Sequence, residues 1–424
     1  MWKRIVGLAG FWLCLVGTAS AWEPQDYVPE RRGMMYQDSF GWMAAPTPIA
    51  IEGIGQSMTF TGLASNFYQS TDAMVVQSAP GGDFDLLVYL VDQLPLFTDK
   101  LWLSTGHFDG EIPFKSFNRG IDSDPELYIQ PQAHSWGNFA KLKLRLWDGR
   151  IEGFYQLGDF KSQLTKVFDA DGNEFASIDN SVRSSQGKNY GLILDLTDHR
   201  LDPRKGYRMG VRIDDPQVTN PDSSDYFVTS WNYTGYIPMF NGDTLVLNAF
   251  RSHASVTRSG ITDMDQLRAK YGLSCDPASP YYQACYAAET AQVSEQRDAN
   301  LWGTANPLGG TNQMRAYPQS RFRAGNAMFQ GVEYRLNFSD EEKPINFWVL
   351  GGIRTIFQFA FFAERGTVSD RVDELNSNMK SSIGAGLRAV ISGLVYRFDV
   401  AVGEEGTATT VFIDYPWELN PISN

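Results

Sequence analysis

Residues 308–338 read LGGTNQMRAYPQSRFRAGNAMFQGVEYRLNF. The stretch joins a polar loop to a strand. Arg315 stands in the loop with no acidic residue near it in sequence. From Val332 onward, Val332, Tyr334, Leu336 and Phe338 fall on one face, and Glu333, Arg335 and Asn337 on the other. Successive side chains of a strand point to opposite faces, so one face is apolar and the other carries charge of both signs. Whether the apolar face meets a protein core or lipid depends on the rest of the chain.

The chain opens like an exported protein. Lys3 and Arg4 precede an apolar run from Val6 to Val16, and Ala19-Ser20-Ala21 gives a small-residue cleavage pattern. Residues 1–21 therefore read as a signal peptide, with Trp22 as the first mature residue. Cys14 would leave with it. Loss of Lys3 and Arg4 takes the formal charge from −13 to −15. Nucleic-acid binding wants a basic face, so no such partner is expected. Cys275 and Cys285 share one polar loop, which in an exported chain predicts a local disulfide, with two free thiols as the alternative. No mature stretch offers ~18 consecutive apolar residues, so no membrane-spanning helix is expected.

Hairpins with alternating strands recur along the chain. Ala140, Leu142, Leu144 and Leu146 alternate with Lys141, Lys143 and Arg145. Asp148-Gly149 is a two-residue turn signal. On the return, Ile151, Tyr155 and Leu157 oppose Glu152 and Gln156, which brings the charged faces side by side. Further on, Arg208, Arg212, Asp195 and Asp214 share polar faces, as do Arg354, Arg388, Arg397, Asp399 and Asp414. On the run 346–363, the stripe from Phe347 to Phe361 would extend ~50 Å at 3.4 Å per residue. That exceeds a ~30 Å hydrocarbon core, so this strand is expected to protrude. The last strand is expected over 407–417, with Val411, Ile413, Tyr415 and Trp417 on one face.

Connections alternate between short turns and long loops, which outer-membrane barrels show and soluble sandwiches do not need. The expected fold is all-β: a transmembrane antiparallel up-and-down β-barrel of 16 strands, or 14 as the alternative. Its long loop, 257–324, is expected to fold into the lumen. Residues 22–46 are read as a short periplasmic segment and 47–424 as the barrel.

Three segments give this pattern a family resemblance. YGLILDLTDHRLDPRKGYRMGVRI (190–213), GGTNQMRAYPQSRFRAGNAMFQGVEYR (309–335) and FFAERG (361–366) resemble the barrel of the Omp85 superfamily of outer-membrane assembly and translocation proteins. The family's loop tip carries Arg-Gly-aromatic after Val or Ile; here it is Met314-Arg315-Ala316-Tyr317. The resemblance implies that Arg315 folds into the lumen and meets the acid of a Phe-x-Asp-x-Gly pattern. Phe362, Glu364 and Gly366 fit that pattern with Glu for Asp, and Glu333 matches a lumen glutamate on the preceding strand. Parity agrees, because Glu333 and Glu364 lie on polar faces. Ala316 departs from the pattern, and would be strained if the tip needed a positive φ there. The family's POTRA domains have no counterpart in the 25 residues after the expected signal, which resembles the subgroup without such an extension.

Two functions follow. One is a role in inserting or transporting outer-membrane proteins, with outer-membrane lipid and client barrel proteins as partners. It rests on a weak seam between a Gly-rich first strand and a last strand containing Pro416, which cannot donate to a ladder. The other is a passive pore or structural barrel plugged by its long loop. An enzyme is not expected: His107, His134, His199 and His253 stand apart from any nucleophile or metal-ligand spacing, and Asp198-His199-Arg200 reads as turn chemistry. No cofactor or metal is expected.

Overall fold

The computed structural model describes residues 28–31, 40–68, 71–174, 180–217, 220, 222–272, 275, 277–278, 282–340, 345–353, 355–391 and 394–417. The expected signal, most of 22–46, and Arg354 lie outside these residues.

Sixteen strands close into one antiparallel barrel. They are β1 (Gly41–Ile51), β2 (Gly55–Tyr68), β3 (Thr71–Ser78), β4 (Asp85–Leu96), β5 (Thr98–Pro113), β6 (Tyr128–Leu146), β7 (Ile151–Phe168) and β8 (Arg183–Thr197). The second half is β9 (Gly206–Gln217), β10 (Asp225–Pro238), β11 (Thr244–Arg258), β12 (Asn326–Asp340), β13 (Thr355–Ser369), β14 (Lys380–Ile391), β15 (Leu394–Gly403) and β16 (Gly406–Ile413). Two helices, α1 (Met264–Tyr271) and α2 (Tyr282–Trp302), sit in the long connection before β12. Neither is long and apolar enough to cross a membrane.

Alternation sets the two faces of the wall. In β6, Leu142, Leu144 and Leu146 are exposed on the outside, while Lys141 and Lys143 are buried inside. In β13, Phe357, Phe359 and Phe361 point out, and Gln358, Phe362 and Glu364 point in. An outward apolar band over a polar interior is the lipid-facing pattern of a membrane barrel. The β6–β7 hairpin keeps the register that its turn dictates: Arg145 lies opposite Glu152, and its Nε donates to Oε2 at 2.9 Å.

Three expectations about the strands change. β1 begins at Gly41, inside the stretch read as a periplasmic segment. Pro46 and Pro48 argue against a strand there, but they are tolerated because their missing N–H groups lie on the side of β1 away from β2, where few pairs form. The run 346–363 does not protrude as one strand. It breaks into a hairpin of Ile345–Phe347 and Leu350–Ile353, with Gly352 at φ +65°, and β13 starts afterwards. The last strand stops at Ile413. Asp414 takes φ +104° and the chain turns into the barrel, so Tyr415 and Trp417 are buried inside rather than facing outward. Pro416 lies in this tail, beyond the strand.

The inward turn leaves the closure short. β1 and β2 align from Gly41 opposite Ser65 to Ile51 opposite Gly55. Among the described residues β1 meets β16 at a single pair, Ala50 opposite Val411. The other end of β1 is held by the 345–353 hairpin, with Trp42 opposite Gly351 and Met43 opposite Leu350. Ala44 donates its N–H to Val349 O at 3.1 Å. Backbone groups alternate in direction along a strand, so positions 46 and 48 also face this seam, and both are proline.

Candidate functional site

The interior of the C-terminal half is built around the loop quoted above. Leu308, Met314, Arg315, Tyr317 and Phe322 are all fully buried, against inward side chains of β12 to β15. The positive φ of the tip falls on Met314 (55°), not on Ala316. Ala316 is therefore unstrained, and its methyl group sits close over Gly403. Gly366 makes room for the loop, since a Cβ there would lie 2.8 Å from Leu308 Cδ1.

Arg315 meets three carboxylates from three strands. Its Nε donates to Glu364 Oε1 at 2.8 Å, and its Nη1 lies 3.0 Å from Glu333 Oε2 and 3.1 Å from Asp399 Oδ2. Its backbone N–H donates to Glu364 Oε2 at 2.8 Å. The guanidinium carbon lies over Phe362, 3.3 Å from the ring centroid, a cation–π contact. Burial alone would lower the pKa of this loop arginine, but Glu364, Asp399 and Glu333 outweigh it and raise it.

Other groups complete the network. Arg388 donates to Glu333 Oε2 at 2.7 Å, Arg335 donates to Glu333 Oε1 at 2.8 Å, and Arg397 donates to Asp399 Oδ2 at 2.8 Å. Arg397 also donates to Thr311 O in the loop. Four guanidiniums thus share three buried carboxylates. Glu364 has two further donors, Ser382 Oγ at 2.8 Å and Trp417 Nε1 at 3.0 Å. Tyr317 is placed one layer outward, donating its hydroxyl to Ser381 O at 2.9 Å.

The tail adds a second anchor. Trp417 packs against Phe329, with ring centroids 6.0 Å apart, and its N–H donates to Asn312 Oδ1 at 2.6 Å. Asn232 donates to Trp417 O at 2.7 Å. Tyr415 Oη contacts Asp202 Oδ1 at 3.3 Å, which ties the tail to the turn between β8 and β9. In that turn, His199 Nδ1 accepts the Asp202 N–H at 2.9 Å, and Asp198 Oδ1 accepts those of Arg204 and Lys205.

The geometry can be set beside solved structures. CdiB from Escherichia coli superposes with a TM-score of 0.50 at 10% identity, over 88% of this chain and 61% of CdiB. This is the barrel fold of CdiB. CdiB is a 16-strand barrel of the Omp85 superfamily. The chain spans less than two thirds of CdiB's length, and the likeness concerns the fold alone. BamA from Haemophilus ducreyi, in a form lacking POTRA domains 1–3, gives 0.45 at 12% identity, covering 88% of this chain and 70% of BamA. The β domain of the Bordetella autotransporter BrkA gives 0.26 at 11% identity, covering 90% and 99%. No family model and no curated protein matches the sequence.

Within this CdiB-like barrel the structure brings Arg315, Glu333, Phe362, Glu364 and Gly366 together, with Tyr317 adjacent. Cys275 and Cys285 are joined by a disulfide at the start of α2, with Cα atoms 5.7 Å apart. Pro416 contributes nothing to the seam ladder. Sequence reasoning missed Asp399 as a partner of Arg315, although parity on β15 had placed it inside. It also missed Trp417, whose alternation with Val411 and Ile413 continues across the turn at Asp414. A further miss is Arg321, fully buried and paired with Glu405 at 2.8 Å, which pins the loop's far end to the β15–β16 turn.

Proposed function

We propose that this protein is an outer-membrane barrel whose β1–β16 seam opens toward lipid, and that it assists insertion or transport of outer-membrane proteins. One observation carries the reading: among the described residues β1 and β16 align at a single pair, where the other neighbouring strands of the barrel align over six pairs or more. Backbone groups cannot stay unpaired in hydrocarbon, so a short ladder marks where the wall parts most readily. The CdiB-like fold supports placement in the outer membrane. Pro46 and Pro48 narrow the mechanism, because β1 has no N–H to offer an incoming strand at those positions.

A second reading, a structural barrel plugged by its own loop, is favoured by the Arg315 network, which joins the loop to inward carboxylates of β12, β13 and β15. The purified protein in liposomes separates the two. The first reading expects faster folding of another barrel protein, lost when Ala50→Cys and Val411→Cys are oxidised across the seam. No acceleration across several clients would leave the structural barrel. Low conductance that rises on deletion of 257–324 would then identify the plug.

A further inference from the structure

Among the described residues, the lumen between β1–β5 and β6–β9 is not filled. A cavity of about 770 Å³ remains there, within the size range of small-molecule sites. Its two walls differ in chemistry. Met74 and Val76 on β3 and Val88 and Leu90 on β4 point inward and are aliphatic, where a membrane barrel's lumen is ordinarily polar. Tyr89, between the last two, is exposed on the outside. β4 is thus apolar on both faces, and its inward Val88 and Leu90 stay only partly buried against the Met74 and Val76 cluster.

The opposite wall is ionic, with Lys141, Lys143, Arg145, Arg208 and Arg212 set among Glu152 and Asp195. Lys143 is paired with Asp92 at 2.7 Å, Arg145 with Glu152 at 2.9 Å and Arg212 with Asp214 at 2.6 Å. Lys141 lines the same cavity, is 8% exposed, and has no carboxylate within ion-pair distance among the described residues. Its ammonium meets the Phe154 ring, 5.7 Å from the centroid. A buried cation without a counter-ion is costly. Register places Lys141 opposite Ser104, whose hydroxyl donates to Asp92, so it stands where the ionic band meets the aliphatic wall.

We propose that this cavity binds an anionic amphiphile, with its carboxylate or phosphate at Lys141 and an acyl chain along the Met74–Leu90 wall. The inner ends of the seam strands supply a route. Phe412 and Ile413 of β16 and Ile49 of β1 line the same cavity, so a molecule entering between β1 and the inturned tail arrives from lipid directly against the apolar wall. The ligand supplies the counter-ion that Lys141 lacks and covers the partly exposed Val88 and Leu90. The proposal concerns cavity occupancy and stands apart from any effect on client folding.

The test uses the full chain in phosphatidylcholine nanodiscs with a trace of diazirine-bearing palmitate, irradiated and mapped by mass spectrometry. Alternation separates the sources of label: Met74, Val88 and Leu90 report the cavity, and Val75 and Tyr89 report surrounding lipid. Inward adducts are expected. Unlabelled fatty acids should displace them with potency rising about fourfold per methylene from octanoate to tetradecanoate, and alcohols of equal length should not. Lys141→Gln should lower inward label about tenfold and leave outward label unchanged. Leu90→Trp, which fills the cavity and keeps Lys141, should also remove it. Competition by phosphatidic acid and not by fatty acids assigns the head to a lipid phosphate, and the reverse assigns it to a free carboxylate. Label confined to outward positions, or inward label displaced equally by alcohols and indifferent to Lys141→Gln, overturns the proposal. Heat-dependent gel mobility checks that each variant is folded.

Discussion

Arg315 and Glu364 meet twice. The guanidinium Nε donates to Oε1 and the backbone N–H of the same residue donates to Oε2, each at 2.8 Å. The carboxylate therefore reads both the side chain and the backbone position of the loop. It is also the shared acceptor for Ser382 and Trp417, so loop, tail and β14 converge on one residue.

The two partners are not equivalent in consequence. Removing Arg315 leaves three guanidiniums against three carboxylates, whereas removing Glu364 leaves four against two. Breaking one side of a buried pair costs about 3–5 kcal/mol. Glu364→Ala is expected near or above that range, and Arg315→Ala clearly below Glu364→Ala. The double variant should be less destabilised than the sum of the two. Guanidinium unfolding of the detergent-solubilised barrel, followed by gel mobility, measures all three. Equal single losses that add would show that the pair does not act as a unit.

Trp417 should be as important to the tail as Arg315 is to the loop. A Cβ at Gly331 would lie 2.6 Å from Trp417 Cζ2, and the contact is with a rigid ring. Gly331→Val is therefore expected to expel the tail, and Trp417→Ala to cost about 3–5 kcal/mol. Carboxypeptidase digestion of the folded protein gives the readout. The parent chain should resist cleavage past Trp417, and Gly331→Val should be trimmed back toward Ile413. A variant trimmed no further than the parent would mean the ring is not what holds the tail.

The disulfide acts on a different scale. Cys275–Cys285 closes a ten-residue separation in the connection that carries α1 and α2. Short closures of this kind are worth about 3 kcal/mol in the chain-entropy account, and that stabilisation is local to the loop. Reduction is expected to speed hydrogen exchange and proteolysis between residues 259 and 304, while leaving the barrel's unfolding midpoint unchanged. A matching drop in the barrel midpoint would place the bond in the global fold.

These sites differ in how far the sequence discloses them. The β6–β7 hairpin is legible because Lys141, Lys143 and Arg145 alternate with leucines around a known turn. Glu364 is legible because its parity and its place in a Phe-x-acid-x-Gly pattern agree. The inner wall of β4 is not, since Leu86 to Val91 is apolar throughout and a continuous run has no inside and outside to read. Nor is the tail: residue type shows Val411, Ile413, Tyr415 and Trp417 in step, but the positive φ at Asp414 that redirects the last two leaves no mark on that alternation. The 345–353 hairpin is hidden for a similar reason, because its aromatics continue the stripe of β13.

Pro46 and Pro48 yield the most direct test of the seam. Ala44 shows which edge of β1 points away from β2, because its N–H reaches Val349 O. On that edge the next donors would be at positions 46, 48 and 50, and among the described residues β16 meets the strand only at Ala50. The inturned tail thus uncovers a length of edge, and proline removes the two donors it would expose. Exposed edges recruit strands, and proline is one of the residues that blunts them. Pro46→Thr with Pro48→Thr restores both N–H groups and keeps residues suited to a strand. The double variant is expected to capture a peptide copying residues 406–413, or to pair edge to edge with a second copy. The parent should do neither. Ala50→Cys in both backgrounds converts edge pairing of copies into disulfide-linked dimers, visible on a non-reducing gel, and fluorescence anisotropy reports the peptide. Equal dimer yield and equal peptide binding in the two backgrounds would show that the prolines do not guard the edge, and that the short seam has another cause.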